Sequence, residues 1–235
     1  MMIDLSDYSV SEFRRRISVT RAMQARARHQ SNLWVFDSPK IGRRFTVAGD
    51  VAFMHIVLLE GDVDVVEYEP EPKPVMSMSG GEPYETTLDA IVSFRGGREE
   101  WWEFKRKSDA KASRTGRSRN QLDAQAEAAA SAGRSYRTLT EEDLEGKEIL
   151  FNNWLSLCAA ITRCRGRPRF REAEILCRRM STGHSFRLDE LMQRNDVDPA
   201  IMLASIAELL QKDELRTDLA DSSFCRSSIL SWRST

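Results

Sequence analysis

The sequence predicts an α/β protein in which helices flank a mixed β-sheet and a helical part follows. Up to about residue 146, short apolar runs bounded by turn residues alternate with two helical segments. From Lys147 onward, apolar residues recur mainly at the three-to-four spacing of helices. A length of 235 residues is sufficient for two small domains.

The first part is predicted to follow the order strand, helix, strand, strand, strand, helix, strand. NLWVFDSPKIGRRFTVAGD predicts short strands or loops, and DVAFMHIVLLEGD predicts a helix capped by Asp50 and stopped at Gly61. VDVVEYEPEP predicts a strand. RNQLDAQAEAAASAG, rich in Ala and ending at Gly133, predicts the second helix, and SYRTLT the last strand. We expect the helices to cover both faces of one sheet.

The segment LDAIVSFRGGREEWWEFKRK predicts the remaining two strands, joined at a Gly96-Gly97 turn. It also places Asp89, Glu103 and Lys105 inside apolar runs. Buried charge is costly unless another group pairs with it, and a metal ion that binds carboxylates would remove the cost.

The geometry of this hairpin decides whether the charged residues can meet. Glu103 and Lys105 are two residues apart and share a face of their strand. A two-residue turn would put Asp89 on the opposite face, so we predict a turn of odd length or a bulge. Asp89, Glu103 and the backbone carbonyl of Phe104 would then offer hard oxygen ligands to Mg²⁺, for which Mn²⁺ can substitute. Lys105 would orient an attacking water. On the pattern alone, a surface salt bridge is an equal alternative.

The net charge of −1 hides an uneven distribution. Residues 1–46 sum to +5, residues 47–146 to −8 and residues 147–235 to +2. A basic N-terminal arm over residues 1–30, followed by an acidic middle, suits a nuclease that holds metal with carboxylates and phosphates with Arg and Lys. Solvated surface charge is the alternative.

Residues 147–235 predict a winged helix-turn-helix domain. After two amphipathic helices, SFRLDELMQRNDVDPAIMLASIAELLQKDELRTDL reads as helix, turn, helix and strand, with Asp198 capping a helix that begins at Pro199. ELRTDL and FCRSSILSW predict a two-stranded wing. The second helix offers few polar groups for base edges, so it is poorly suited to reading a DNA sequence.

Four segments resemble TnsA-type endonucleases, the transposon end-cleaving members of the PD-(D/E)XK nuclease superfamily. They are SPKIGRR with TVAGDVAFMHIVLLE, then DVDVVEYEPEP, then TTLDAIVSF with EEWWEFKRK, and finally QLDAQAEAAASAGRSYRTLTEEDL. The resemblance implies a restriction-endonuclease-like core over residues 31–146. In it, Asp89 is the motif acid and Glu103-Phe104-Lys105 the ExK element.

The resemblance further implies a Mg²⁺-dependent DNA endonuclease that cleaves the ends of a mobile element. Its expected partners are double-stranded DNA, a transposase and an ATPase regulator, with the winged helix contacting a partner protein. We expect a cytoplasmic protein, bacterial or encoded by a phage or plasmid, without a membrane partner. Two alternatives remain open: a DNA-binding or scaffolding subunit with weakened cleavage, and a restriction or repair nuclease of the same fold.

The first helix departs from the family pattern. The family's catalytic Glu falls on Ala52 here, which supports the scaffolding alternative. Asp50 is a further candidate metal ligand, although it points about 160° away from position 52 on a helix.

Basic and amide side chains of the entry loop, the second helix and an arginine-rich run are predicted to contact DNA, with solvated surface positions as the alternative. They are Lys40, Arg43, Arg44, Gln121, Gln125, Arg165 and Arg167.

Overall fold

A computed structural model of the protein describes residues 32–79, 82–107, 117–183 and 185–233. The predicted basic arm over residues 1–30 lies outside the described residues, as do residues 108–116.

The elements follow the predicted alternation in the first part and become mainly helical after it. The helices are α1 (Asp50–Gly61), α2 (Arg117–Ser131), α3 (Glu148–Arg163), α4 (Phe170–Thr182), α5 (Leu188–Met192) and α6 (Pro199–Gln211), with a 3₁₀ turn at Glu141–Leu144. The strands are β1 (Leu33–Ser38), β2 (Arg43–Ala48), β3 (Val65–Pro70), β4 (Val75–Ser79), β5 (Glu82–Thr86), β6 (Ala90–Phe94), β7 (Glu99–Phe104), β8 (Ser135–Leu139), β9 (Phe186–Arg187), β10 (Leu215–Arg216) and β11 (Ile229–Trp232).

The central sheet has the strand order β3-β6-β7-β8. The pairs β3–β6 and β6–β7 are antiparallel and β7–β8 is parallel, so the sheet is mixed, as predicted. Successive residues of β7 point to opposite faces: Trp102 packs in the cluster that contains α1, and Trp101 packs against Ala128 and Ala129 of α2. Helices therefore cover both faces, which confirms the predicted mixed α/β class.

Two hairpins lie outside this sheet. Strands β1 and β2 pair over their full length, where the sequence indicates short strands or loops. The β4–β5 hairpin is absent from the sequence prediction. Its segment is largely polar and contains Pro83, a residue that argues against a strand interior.

Helices α6 and α1 begin in different ways. Asp198 caps α6 through its Oδ1, which accepts the N–H of Ala200 at 2.8 Å, and Pro199 is the first helical residue, as predicted. The prediction that Asp50 caps α1 is wrong. The cap position is Gly49, whose φ of 95° favours glycine, and it makes no side-chain capping bond.

The C-terminal part forms a three-stranded sheet in the order β10-β11-β9, with α5 and α6 between β9 and β10. The predicted pairing of the last two strands is present. The third strand, β9, has only two residues, too few to produce a recognisable sequence pattern.

The two parts of the chain share one core. A single cluster of buried side chains extends from Phe36 in β1 through α1 and α3 to α6 and Leu230 in β11. Helices α1 and α3 approach closely at Gly61: a Cβ added there would lie 2.0 Å from Nε1 of Trp154, so only glycine leaves room for that indole. Within the described ranges, no helix is long and apolar enough to cross a bilayer.

Candidate active site

The β6–β7 hairpin has the register that the sequence argument required. Ala90 pairs with Trp102 and Ser93 with Glu99. Phe94 N–H donates to the carbonyl of Arg98 at 2.8 Å, so residues 95–97 form a three-residue turn. The prediction of an odd-length turn is confirmed, and continuing the register by one pair puts Asp89 opposite Glu103.

Asp89 lies where the ladder between β6 and β7 ends. Its N–H donates to the carbonyl of Trp102 at 3.1 Å, and its Oδ2 accepts the N–H of Phe104 at 2.6 Å. Strand N–H groups point within the sheet, so the carboxylate lies between the two strand ends rather than on one face. The N–H and the carbonyl of one strand residue point toward the same neighbouring strand. Because the Phe104 N–H points toward Asp89, the Phe104 carbonyl is directed to that side as well.

Glu103 is buried and is held by one cationic and one polar partner. The residue as a whole is only 2% exposed. Lys105 Nζ lies 2.6 Å from Oε1, and Gln125 Nε2 donates to Oε2 at 3.0 Å. Because a buried carboxylate without partners is costly, this pairing explains how the charge is tolerated in an apolar strand.

Gln125 is held in turn from two sides. Its Nε2 donates to the carbonyl of Thr87 at 2.9 Å, and its Oε1 accepts the hydroxyl of Tyr136 at 2.7 Å. Sequence reasoning missed Tyr136. The available signal was its place in the strand SYRTL, which runs parallel to the strand that carries Glu103.

The electrostatics of the pair favour a cation. The pKa of Asp89 is raised to about 7, first by burial and then by the negative charge of Glu103. The Phe104 N–H and the Lys105 ammonium act in the opposite direction but do not cancel these effects. A positive ion beside the carboxylates would stabilise the ionised form of Asp89.

Asp89 opens into a small cleft of about 70 Å³ beside α1. The cleft is also lined by Ala52, Glu71 and Phe104. The position at which the resemblance expects a Glu therefore faces the same space as Asp89, but it carries only a methyl group. Glu103 and its partner Lys105 do not line this cleft, and the contact with Gln125 places Glu103 toward α2.

Asp50 does not compensate for Ala52. It is exposed and is not among the residues that line the cleft. Its carboxylate accepts hydrogen bonds from Asn32 Nδ2 at 2.9 Å and Trp34 Nε1 at 2.9 Å, which lower its pKa. These bonds direct the Asp50 side chain toward β1 and away from Asp89.

The oxygen donors of the site suit Mg²⁺ in type. Two carboxylates and one backbone carbonyl are hard ligands, and Mg²⁺ is commonly held by one or two carboxylates while retaining waters. Within the described residues, no group of three His, Cys, Asp or Glu side chains is close enough to hold a metal ion. Asp89 and Phe104 border the same cleft, whereas Glu103 would approach an ion from the α2 side of the sheet.

The predicted DNA contacts on α2 differ in exposure. Gln125 is fully buried, so it cannot reach a duplex and instead positions Glu103. Gln121, one turn earlier, is half-buried. The prediction of a DNA contact therefore fits Gln121 better than Gln125.

The predicted basic contacts bind partners within the protein. Arg44 and Arg165 approach the two oxygens of Asp37, at 2.9 and 2.8 Å respectively. Arg43 donates to the carbonyl of Pro70 at 3.4 Å, and Pro70 lines the cleft beside Asp89.

The other two basic residues make separate contacts. Arg167 lies 3.8 Å from Asp198, at the start of α6. Lys40 is half-buried, and its ammonium group donates to backbone carbonyls.

Neither a scan against protein-family models nor a search of the curated proteins finds a match for this chain. Family membership is therefore a proposal, for which the residues and their geometry supply the support.

Proposed function

We propose that the protein is a Mg²⁺-dependent DNA endonuclease with a PD-(D/E)XK core and a C-terminal winged helix domain. The observation that carries this proposal is the meeting of Asp89 with the Glu103-Phe104-Lys105 segment at one end of the β6–β7 ladder. The hydrogen bond from the Phe104 N–H to Asp89 brings the acid beside the segment that carries Glu103 and Lys105, which supports the proposal.

Each residue of the segment has a role that follows from its contacts. Asp89, Glu103 and the Phe104 carbonyl would hold the ion. When bound, Mg²⁺ supplies Lewis acidity toward the scissile phosphate and the attacking water. Lys105 is held beside Glu103 at 2.6 Å, so its ammonium group lies near the site and would donate to a phosphate oxygen or to the water. Gln125 keeps Glu103 in one rotamer.

The winged helix assignment is supported by element order. After α4, the order β9, α5, α6, β10, β11 and the sheet order β10-β11-β9 are those of a helix-turn-helix unit followed by a wing. Six residues of α6 are buried, so the helix has little polar surface for base edges. We therefore assign it to packing and partner contact.

Cleavage at the ends of a mobile element, beside a transposase and an ATPase regulator, is the biological setting we propose. It is supported by the four segments that resemble TnsA-type endonucleases. A restriction or repair nuclease of the same fold would share the chemistry but not these partners, so co-purification with a transposase separates the two.

The second candidate function is a DNA-binding or scaffolding subunit with weak or no cleavage. The methyl group of Ala52 in the Asp89 cleft favours it, because one acid of the family pattern is missing there. Cleavage and metal binding distinguish the candidates.

The test is nicking of supercoiled plasmid DNA with Mg²⁺ or Mn²⁺, together with calorimetric titration of Mn²⁺. The variants Asp89→Asn and Glu103→Gln should each lower the cleavage rate at least a hundredfold and weaken Mn²⁺ binding. Lys105→Met should lower the rate while retaining Mn²⁺ binding.

The matched control is Glu99→Gln, the same change four residues earlier on the same face of β7, where Glu99 bonds Arg134 at 3.0 Å. It should cleave like the wild type. Cleavage that survives Asp89→Asn would refute the assigned site. Absence of cleavage by the wild type, together with absence of Mn²⁺ binding that depends on Asp89, would favour the scaffolding subunit.

A further inference from the structure

A cavity of about 540 Å³ lies where the two parts of the chain meet. We call it the seam cavity. Lys40, Val65 and Arg95 line it from the first part, and Ile161 of α3 and Lys212, just after α6, line it from the second. Its size is within the range of sites for small organic ligands.

The charges around the seam cavity are mainly positive. Lys40, Arg95 and Lys212 are three cations, and Glu208 is the one acid among the described residues that line it. The Glu208 carboxylate is already paired with Arg169 at 2.6 Å. Within the described residues, no hydrogen bond or ion pair is found for the side chains of Arg95 and Lys212, which are exposed. Glu60 and Asp62 interact electrostatically with Lys40, and Asp213 with Arg95, but these three acids do not line the cavity. An anion in the cavity would therefore meet the three cations directly.

Lys40 is fixed at the cavity wall. Its Nζ donates to the carbonyls of Asp62 at 2.6 Å and Val65 at 2.8 Å. An ammonium group has three N–H donors, so one remains for a ligand. Burial lowers the pKa of Lys40 to about 8, and a bound anion would favour its charged form.

The rest of the wall is apolar. Val65 and Ile161 are 4% and 5% exposed overall, and Val63 and Val66 extend the same wall toward the solvent. Cations beside aliphatic side chains suit a ligand with an anionic group and a flat apolar group. From this combination we propose that the seam cavity binds a phosphate-bearing ligand of nucleotide size, with its phosphate toward Lys40, Arg95 and Lys212.

The seam cavity is distinct from the candidate active site. Along β3, the cavity lies at Val65 and the Asp89 cleft at Pro70. Five residues of strand separate them by about 16 Å. The proposal therefore does not depend on nuclease activity. Since the lining residues come from both parts of the chain, a bound ligand would also hold the two parts together.

The experiment is calorimetric titration of the full chain with adenosine diphosphate in the presence of EDTA, so that no metal site contributes. We expect one molecule bound per chain. Arg95→Ala and Lys212→Ala should each raise the Kd about tenfold, because each removes a charge-assisted contact. Arg163→Ala is the matched control, because it removes an exposed Arg of α3 that does not line the cavity, and it should leave the Kd unchanged.

A competition measurement distinguishes the sources of the phosphate. Displacement of adenosine diphosphate by a 5′-phosphorylated single-stranded oligonucleotide would identify the ligand as a strand end, and lack of displacement a free nucleotide. Both outcomes keep the phosphate site. Absence of binding, or the same Kd in Arg95→Ala, Lys212→Ala and wild type, would overturn it. Far-ultraviolet circular dichroism checks that the variants fold, and Lys212→Gln provides a milder second variant.

Discussion

Replacing Asp89 by Asn should make the protein more stable above neutral pH. The substitution keeps the shape of the side chain, and the Asn oxygen can still accept the Phe104 N–H that Asp89 Oδ2 accepts at 2.6 Å. The substitution removes a carboxyl group that has to ionise in a half-buried position beside the negatively charged Glu103.

The magnitude follows from linkage between proton binding and folding. The pKa of Asp89 rises from 3.8 to about 7 in the folded protein. Each tenfold change in proton affinity is worth about 1.4 kcal/mol, so the upper limit is about 4 kcal/mol. Because the folded pKa is the higher one, this contribution is fully present below pH 3.8 and is lost as the pH rises through about 7.

The assay is urea unfolding in EDTA at pH 5, 6, 7 and 8. The free energy of unfolding of Asp89→Asn minus that of the wild type should grow by about 3 kcal/mol between pH 5 and pH 8, because the rest of the effect of about 4 kcal/mol falls below pH 5. Glu103→Gln should shift the wild-type loss of stability to lower pH, because it removes the neighbouring charge. Asp221→Asn, the same change at an exposed position, should differ from wild type by less than about 0.5 kcal/mol throughout. If the free energies of unfolding of Asp89→Asn and wild type differ by the same amount at every pH from 5 to 8, the reasoning is refuted.

Three further outcomes are expected. Ala52→Glu adds a carboxylate to the Asp89 cleft; calorimetry should show about tenfold tighter Mn²⁺ binding, and unchanged affinity would contradict the role given to that position. Gln125→Leu leaves the buried Glu103 without its amide donor and should cost about 1–3 kcal/mol in urea unfolding; a neutral effect would exclude the positioning role. Gly61→Ala puts a methyl group against Trp154 and should cost about 1–3 kcal/mol by the same assay, whereas wild-type stability would mean that the indole can move.

The central sheet could be predicted because apolar alternation fixes which face each residue takes. The odd-length turn at residues 95–97 was predicted from the requirement that Asp89 meet Glu103, since a two-residue turn would place the acid on the opposite face. The short strand β9 and the polar β4–β5 hairpin could not be predicted from the sequence, because neither has an apolar pattern that distinguishes it from a loop.

The errors at the site have physical causes of the same kind. Gln125 is polar and lies on an Ala-rich helix, so its sequence context suggests exposure, whereas a buried carboxylate holds it inside. Asp is a residue type favoured at helix caps, but the Asp50 carboxylate instead accepts hydrogen bonds from Trp34 in β1 and from Asn32 just before it. In both cases a contact that is distant in sequence decided the outcome.

The fit of the Trp154 indole over Gly61 has a consequence for how this protein can be dissected or changed. A fragment that stops at residue 146 would lack α3 and would expose the apolar surface of α1 to water. It should therefore aggregate rather than fold as an independent domain. A chimera in which another protein supplies residues 147–235 would need an aromatic side chain that fits over Gly61 as the Trp154 indole does.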